Sequence, residues 1–284
     1  PWLNDYIKFS RKWRPRSFDD YHEACGLWVL STIAGRRLYI DLGKPRYTGL
    51  YIILTGRTSV YAKSSVAQIA VQMIHDSGFD FFIMPDECTP QKFIEILSNP
   101  DKDEKKSESS SNLPELSLLF QGKRSWFYEE FGQKLEGLSR GGGNMSDYKS
   151  ILRRFDDFAP TYKYATIGRG FDIIEKPYLA LLANITPSDI SSLGKKGAGL
   201  WRDGFFARFA FISPYDFENN RKRFPMGKRK FPKSLITKLK SWHENLGIPE
   251  LNEQKKVIFP ETLCTFEKNL IDAFYNYQDF LIDT

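Results

Sequence analysis

Between Gly56 and Ser65 the chain reads Gly-Arg-Thr-Ser-Val-Tyr-Ala-Lys-Ser-Ser. A nucleoside triphosphate needs backbone N–H groups converging on its phosphates, a helix N-terminus, a lysine for the outer phosphates and a hydroxyl for magnesium. Gly56, Arg57, Thr58, Ser59, Ala62, Lys63, Ser64 and Ser65 can supply these. Lys63 would reach the β- and γ-phosphates, Ser64 would hold Mg²⁺, and a helix opening at Ser65 would present its positive end. The spacing is irregular. Five residues separate Gly56 from Ala62, and Ala62 stands where a second glycine is usual. An ordinary βα turn with a solvated lysine reads the same in isolation, so the neighbouring elements decide.

Hydrolysis needs acids at a nearby strand end, one for the metal and one for the attacking water. Trp126-Phe-Tyr-Glu129-Glu130 offers an apolar strand followed by two carboxylates. Glu129 takes the metal side and Glu130 the general-base role; a solvent-facing pair favoured at a helix start is the alternative. Asn184, ending the run from Tyr178, is placed to orient water, with Thr186 as a weaker choice. Arg208 and Arg202 could meet charge on a neighbouring subunit's phosphoryl group, or pair with acids inside the fold. The dense basic run 221–233 includes Arg221, Lys222, Arg223, Lys228, Arg229 and Lys230, interleaved with Phe224 and Phe231. Phosphate contacts plus base stacking would suit it, as would plain solvation. Arg140 and Arg169 could face a central channel.

The elements that must position these residues follow from hydrophobic period. Gly49–Thr55 is a continuous apolar run, as in a strand buried on both faces of a parallel sheet. Val66, Ile69, Ala70, Met73 and Ile74 then recur at helical spacing up to Ser77-Gly78. Strands are further predicted over 37–42, 79–84, 125–128, 178–184 and 206–213, and a hairpin over 162–174 around Gly168-Arg169-Gly170. Helices are predicted over 17–35 with Ser17 as cap, 89–97 capped by Thr89, 233–245 and 261–282. The polar stretch 99–114 reads as a surface loop. The fold class is α/β, a mostly parallel sheet flanked by helices. It divides into an N-terminal helical segment (1–48), a core (49–214), and a basic segment with an incomplete C-terminal helical extension (215–284).

At 284 residues, with 41% hydrophobic and 27% charged side chains, the chain can bury a sizeable core. A net charge of +6 permits nucleic-acid binding without requiring it. Cys25, Cys88 and Cys264 lie too far apart for a zinc ribbon or a disulfide framework, which fits inert buried thiols in a reducing, cytoplasmic setting. No apolar run approaches the ~20 residues that span a bilayer. The chain opens on Pro1-Trp2-Leu3-Asn4, without an initiating Met or a signal pattern, as expected for a piece of a longer protein.

Taken in order, Leu54-Thr-Gly-Arg-Thr-Ser-Val-Tyr-Ala-Lys-Ser64, Phe127-Tyr-Glu-Glu-Phe-Gly132, Leu181-Leu-Ala-Asn-Ile-Thr-Pro187 and Gly204-Phe-Phe-Ala-Arg-Phe209 resemble the additional-strand P-loop ATPases, the RecA-like and AAA+ division. More narrowly they resemble helicase-like ATPase domains of phage, plasmid and mobile-element replication proteins. The resemblance spans roughly residues 17–280. It implies a P-loop core, ATP and Mg²⁺ as cofactors, ring-like and conceivably hexameric homo-oligomers, and single-stranded DNA as partner. Lys63, Ser64, Glu129, Glu130, Asn184 and Arg208 then take the roles given above. A nucleotide-binding scaffold that assembles with a primase, without hydrolysis, is the second expectation; a small-molecule phosphotransferase is the third.

Overall fold

A computed structural model describes residues 1–57, 60–98, 113–139, 146–166, 170–196, 200–201, 203–215, 223–254 and 256–283. At its centre four strands run parallel in the order β4-β7-β3-β8: β3 (Tyr51–Thr55), β4 (Lys123–Tyr128), β7 (Tyr178–Ile185) and β8 (Ala210–Ile212). Every residue of β3 and β7 is buried, as expected for apolar strands covered on both faces. Alternation then divides them. Ile52, Leu54, Ala180 and Leu182 face one core; Tyr51, Ile53, Leu179, Leu181 and Ala183 face another.

The first core is covered by α1 (Trp2–Trp13), α2 (Asp19–Ala34), α3 (Lys63–Asp76) and α9 (Lys233–Asn245). Tyr6, Tyr21, Ile52, Val66 and Leu235 belong to it together, so all three sequence segments share one interior. The second core is covered by α4 (Pro90–Ser98), α6 (Phe131–Ser139) and α7 (Ser146–Asp156). The mixed α/β class and the helix-flanked parallel sheet agree with the sequence. Arg37 staples α9 to the end of α2. Its guanidinium donates to the carbonyls of Ala34 (3.1 Å), His243 (2.8 Å) and Gly247 (2.7 Å), and to His243 Nδ1.

Several elements differ from expectation. Phe79–Met84 is no strand: Asp80–Phe82 coils into a 3-10 turn, leaving one bridge between Ile83 and Ser125. The reason is packing. Phe79, Phe81 and Phe82 all enter the same core, which strand alternation would forbid for the adjacent pair. Likewise Phe206–Arg208 is a 3-10 turn before β8, because Phe205, Phe206 and Phe209 share one cluster. β1 (Leu38–Asp41) extends into a hairpin with β2 (Pro45–Tyr47). The last helix begins late: β11 (Thr262–Leu263) first pairs with β1, and α10 runs Lys268–Asp283 with Leu270, Phe274 and Tyr277 exposed. β5 (Thr161–Thr166) and β6 (Gly170–Glu175) form the expected antiparallel hairpin. Among the described residues only Cys25 of the three free thiols is buried; Cys88 and Cys264 are half-buried. No helix among them is long and apolar enough to cross a membrane.

Two buried histidines make the fold acid-sensitive. His22 sits against Ser10 Oγ (2.7 Å) and His243 against Arg37 (2.9 Å). Burial pushes His22 down to about 4, and burial with the Arg37 charge pushes His243 down to about 3. The unfolded chain therefore takes up protons below about 6.5 that the folded chain refuses. Stability is full above that pH and is expected to fall as acid approaches the folded values, by about 1.4 kcal/mol per pH unit per histidine. Urea unfolding at pH 7.5, 6 and 5 checks this; His22→Gln should flatten the dependence.

Candidate functional site

Register sets the frame of the site. Thr55 of β3 pairs with Ile185 of β7, and Tyr128 of β4 with Ala183. Gly56, Glu129 and Thr186 therefore leave the sheet at one carboxyl edge, where open α/β sheets bind their ligands. β7 lies between the Gly56 strand and the Glu129 strand.

The turn after β3 is fixed from below. Tyr21 Oη donates to the Thr55 carbonyl and Ser17 Oγ to the Tyr61 carbonyl at 2.8 Å. Ser17 thus pins the loop and does not cap α2, whose N-cap is Phe18. Gly56 has φ +153°, and a Cβ there would lie 2.6 Å from Tyr21 Oη, so only glycine fits. The helix then starts at Lys63, two residues earlier than predicted, with Ala62 as N-cap.

That helix start breaks two local rules. It has no side-chain cap and no acid in its first turn. In their place it carries Lys63, 8% exposed, its ammonium donating to the Gly56 carbonyl. Burial lowers the Lys63 pKa, with Asp189 pulling it back up. A cation added to the positive end of a helix dipole is a cost that a bound anion would remove. Ala62 adds strain: at φ 51°, ψ 34° it is left-handed, the conformation that the missing glycine would ease. Ala62→Gly is accordingly expected to stabilise the protein by about 0.5–1 kcal/mol, after the glycine entropy cost is set against the relief. Denaturant midpoints of the two proteins measure this.

At the turn lies a cleft of about 510 Å³ lined by Arg57, Lys63, Ser64, Glu129, Glu130 and Asn184, and also by Ala62 and Ser65. Asn184 is 4% exposed; its Nδ2 donates to Ser64 Oγ at 3.4 Å and its Oδ1 has no hydrogen-bond partner. A buried acceptor left unmet beside a cavity is a place for a ligand or water donor. Glu129 and Glu130 are exposed into the cleft, and Glu130 Oε2 accepts from Gln133 Nε2 at 3.0 Å. Asp189 also lines the cleft; its Oδ2 accepts from Thr186 N (3.0 Å) and Thr186 Oγ1 (2.7 Å), capping α8 (Pro187–Lys196). Gly132, in the first turn of α6, sits so close that a Cβ would lie 2.5 Å from Asp189 Cγ. Gln133, Asp189 and Gly132 were not anticipated, although Thr186-Pro-Ser-Asp189 carries a capping signature.

Among the described residues no three His, Cys, Asp or Glu side chains cluster closely enough to hold a metal alone. Ser64 and Glu129 line one cleft, and Mg²⁺ commonly takes only one or two protein oxygens beside waters and substrate phosphates. Across the Gly56–Arg57 ridge a second cleft of about 470 Å³ is lined by Val60, Tyr61, Pro187, Ser213 and Pro214.

The other predicted residues do not join this site. Arg208 does not line the cleft. It pairs with Asp156 (3.3 Å) and Asp157 (3.2 Å) and donates to the Gly204 carbonyl (2.8 Å). Burial raises Asp156 to about 6 against the pull of Arg208. Arg223, Lys228, Arg229 and Lys230 lie elsewhere, and Phe231 is buried against Phe9 (4.7 Å), so it is a core anchor and no stacking surface. Thr58, Ser59, Arg140, Arg169, Arg202, Arg221 and Lys222 fall outside the described residues. No protein-family model matches the chain and no curated protein matches it in sequence, so the geometry of this cleft carries the functional argument.

Proposed function

We propose that the protein binds a nucleoside triphosphate with Mg²⁺ at the carboxyl edge of its sheet and hydrolyses it. The carrying observation is the meeting there of three strand ends: Lys63 and Ser64 after β3, Asn184 on β7, and Glu129-Glu130 after β4. The order β4-β7-β3 supports the reading, because β7 occupies the place of the inserted strand for which the additional-strand P-loop ATPases are named.

In this reading the N–H groups opening α3 cradle the phosphates, and Lys63 Nζ exchanges the Gly56 carbonyl for the outer phosphate oxygens. Ser64 and Glu129 would hold a magnesium ion, which would supply positive charge to the phosphates. Glu130 takes a proton from the attacking water as its oxygen bonds to the γ-phosphorus and the bond to the β-phosphate oxygen breaks. Asn184 Oδ1, which has no hydrogen-bond partner within the protein, accepts that water's other hydrogen. The second cleft offers Tyr61 and two prolines to a base. The resemblance adds helicase-like work on DNA in replication or mobile-element maintenance, as a ring of identical subunits.

One observation favours the scaffold reading: Glu130 is engaged by Gln133. Calorimetric titration with Mg-ATP, followed by phosphate release with and without single-stranded DNA, separates the two. Binding with turnover supports the proposal, binding without turnover leaves the scaffold, and failure to bind overturns both.

A further inference from the structure

Two basic stretches far apart in sequence meet on the face of α1. One is Arg11-Lys-Trp-Arg14-Pro-Arg16, at the end of that helix; the other is the run from Arg223 to Lys230. They meet around Phe224. The Arg14 guanidinium lies 5.8 Å from the centre of its ring and that of Arg16 5.1 Å. Phe231, buried against Phe9, anchors the second stretch to α1. Phe224 remains 46% exposed, and Met226, two residues on, 96%.

The charges here are poorly balanced. Arg11 pairs with Asp19 at 3.0 Å, but the ion pairs among the described residues include none for Arg14, Arg223, Lys228, Arg229 or Lys230. Arg14 and Arg229 stand near enough that, after burial, Arg14 is the main influence lowering the Arg229 pKa; Tyr6 and Asp76 pull it the other way. Like charges gathered in excess over the nearby Asp19 and Asp76 are relieved by a polyanion. A half-exposed ring beside guanidiniums narrows the choice, since a base stacks on an aromatic face while phosphates meet the cations. A duplex keeps its base faces hidden; a single strand does not.

We propose that Arg14, Arg16 and Phe224, with Arg223, Lys228 and Lys230, form a surface that holds single-stranded nucleic acid. The inference deepens the proposed function, and rests on it only for any coupling to nucleotide turnover. The surface itself works without nucleotide.

The test is fluorescence anisotropy with a labelled oligothymidylate and no nucleotide present, on the wild type, Arg16→Ala/Arg223→Ala and Phe224→Ala. Thermal melting of each variant checks that it is folded. The oligonucleotide should bind with an affinity that falls linearly with the logarithm of salt. The double arginine variant should bind roughly tenfold more weakly, with the salt slope reduced by about one per lost phosphate contact. Phe224→Ala should lose about 5- to 150-fold and keep the slope, as expected for one stacked base. Equal binding of a duplex, binding to anionic vesicles in place of the oligonucleotide, or unchanged affinity in both folded variants would overturn the proposal. If the oligonucleotide binds but Mg-ATP does not, this surface stands and the nucleotide reading falls; the reverse result does the opposite.

Discussion

Replacing Glu130 by glutamine is expected to cut nucleotide turnover by about 10²- to 10⁴-fold, the usual contribution of a positioned general base. Binding of Mg-ATP should survive. The glutamine keeps the shape and can still meet Gln133, 3.0 Å away in the parent protein, but it cannot take a proton. Glu130 is exposed at the lip of the cleft, so the change leaves the core untouched. Single-turnover phosphate release, with affinity measured in parallel, separates chemistry from binding. An equal fall in affinity and rate would show that Glu130 serves binding and would remove it from the base role. Glu129→Gln makes a useful contrast: on the roles proposed, its loss should be partly offset by raising Mg²⁺.

Lys63→Ala is expected to weaken nucleotide binding by about 100-fold, at the scale of a charge-assisted hydrogen-bond pair lost in a shielded site. The same substitution should leave the fold intact or improve it. The free protein holds this ammonium at the positive end of a helix, 8% exposed, with a backbone carbonyl as its hydrogen-bond partner. Removing it relieves a burial cost and a clash with the helix dipole. Higher stability with lower affinity is the signature of a group kept for a ligand. Lower stability with unchanged affinity would instead mark Lys63 as a structural lysine. Calorimetry for affinity and urea unfolding for stability give the two numbers.

The sequence made the sheet legible because β3 and β7 are buried on both faces, and a continuous apolar run is the direct imprint of that burial. Lys63, Ser64, Glu129 and Asn184 line one cleft for a related reason: each stands within or after the carboxyl end of a core strand, and parallel strands in register bring those ends to one edge. One predicted strand, 79–84, failed and another, 206–213, shrank to Ala210–Ile212, both where aromatic residues cluster. Phe81 beside Phe82, and Phe205 beside Phe206, are apolar whichever way the backbone turns, so periodicity carries no information there. Arg208 could not be decided from sequence, because its partners Asp156 and Asp157 are some fifty residues away. The meeting of Arg14 and Arg16 with Phe224 was invisible for the same reason: two basic stretches more than two hundred residues apart share a surface only once α1 and α9 pack.

Gly132 and Asp189 join two segments that line the cleft: there is no space for even a methyl group between the start of α6 and the start of α8. Asp189 is tied in turn to Thr186 at the end of β7. A side chain larger than glycine at position 132 is therefore expected to push α6 away from Asp189 and, through Thr186, to disturb the end of β7 that carries Asn184.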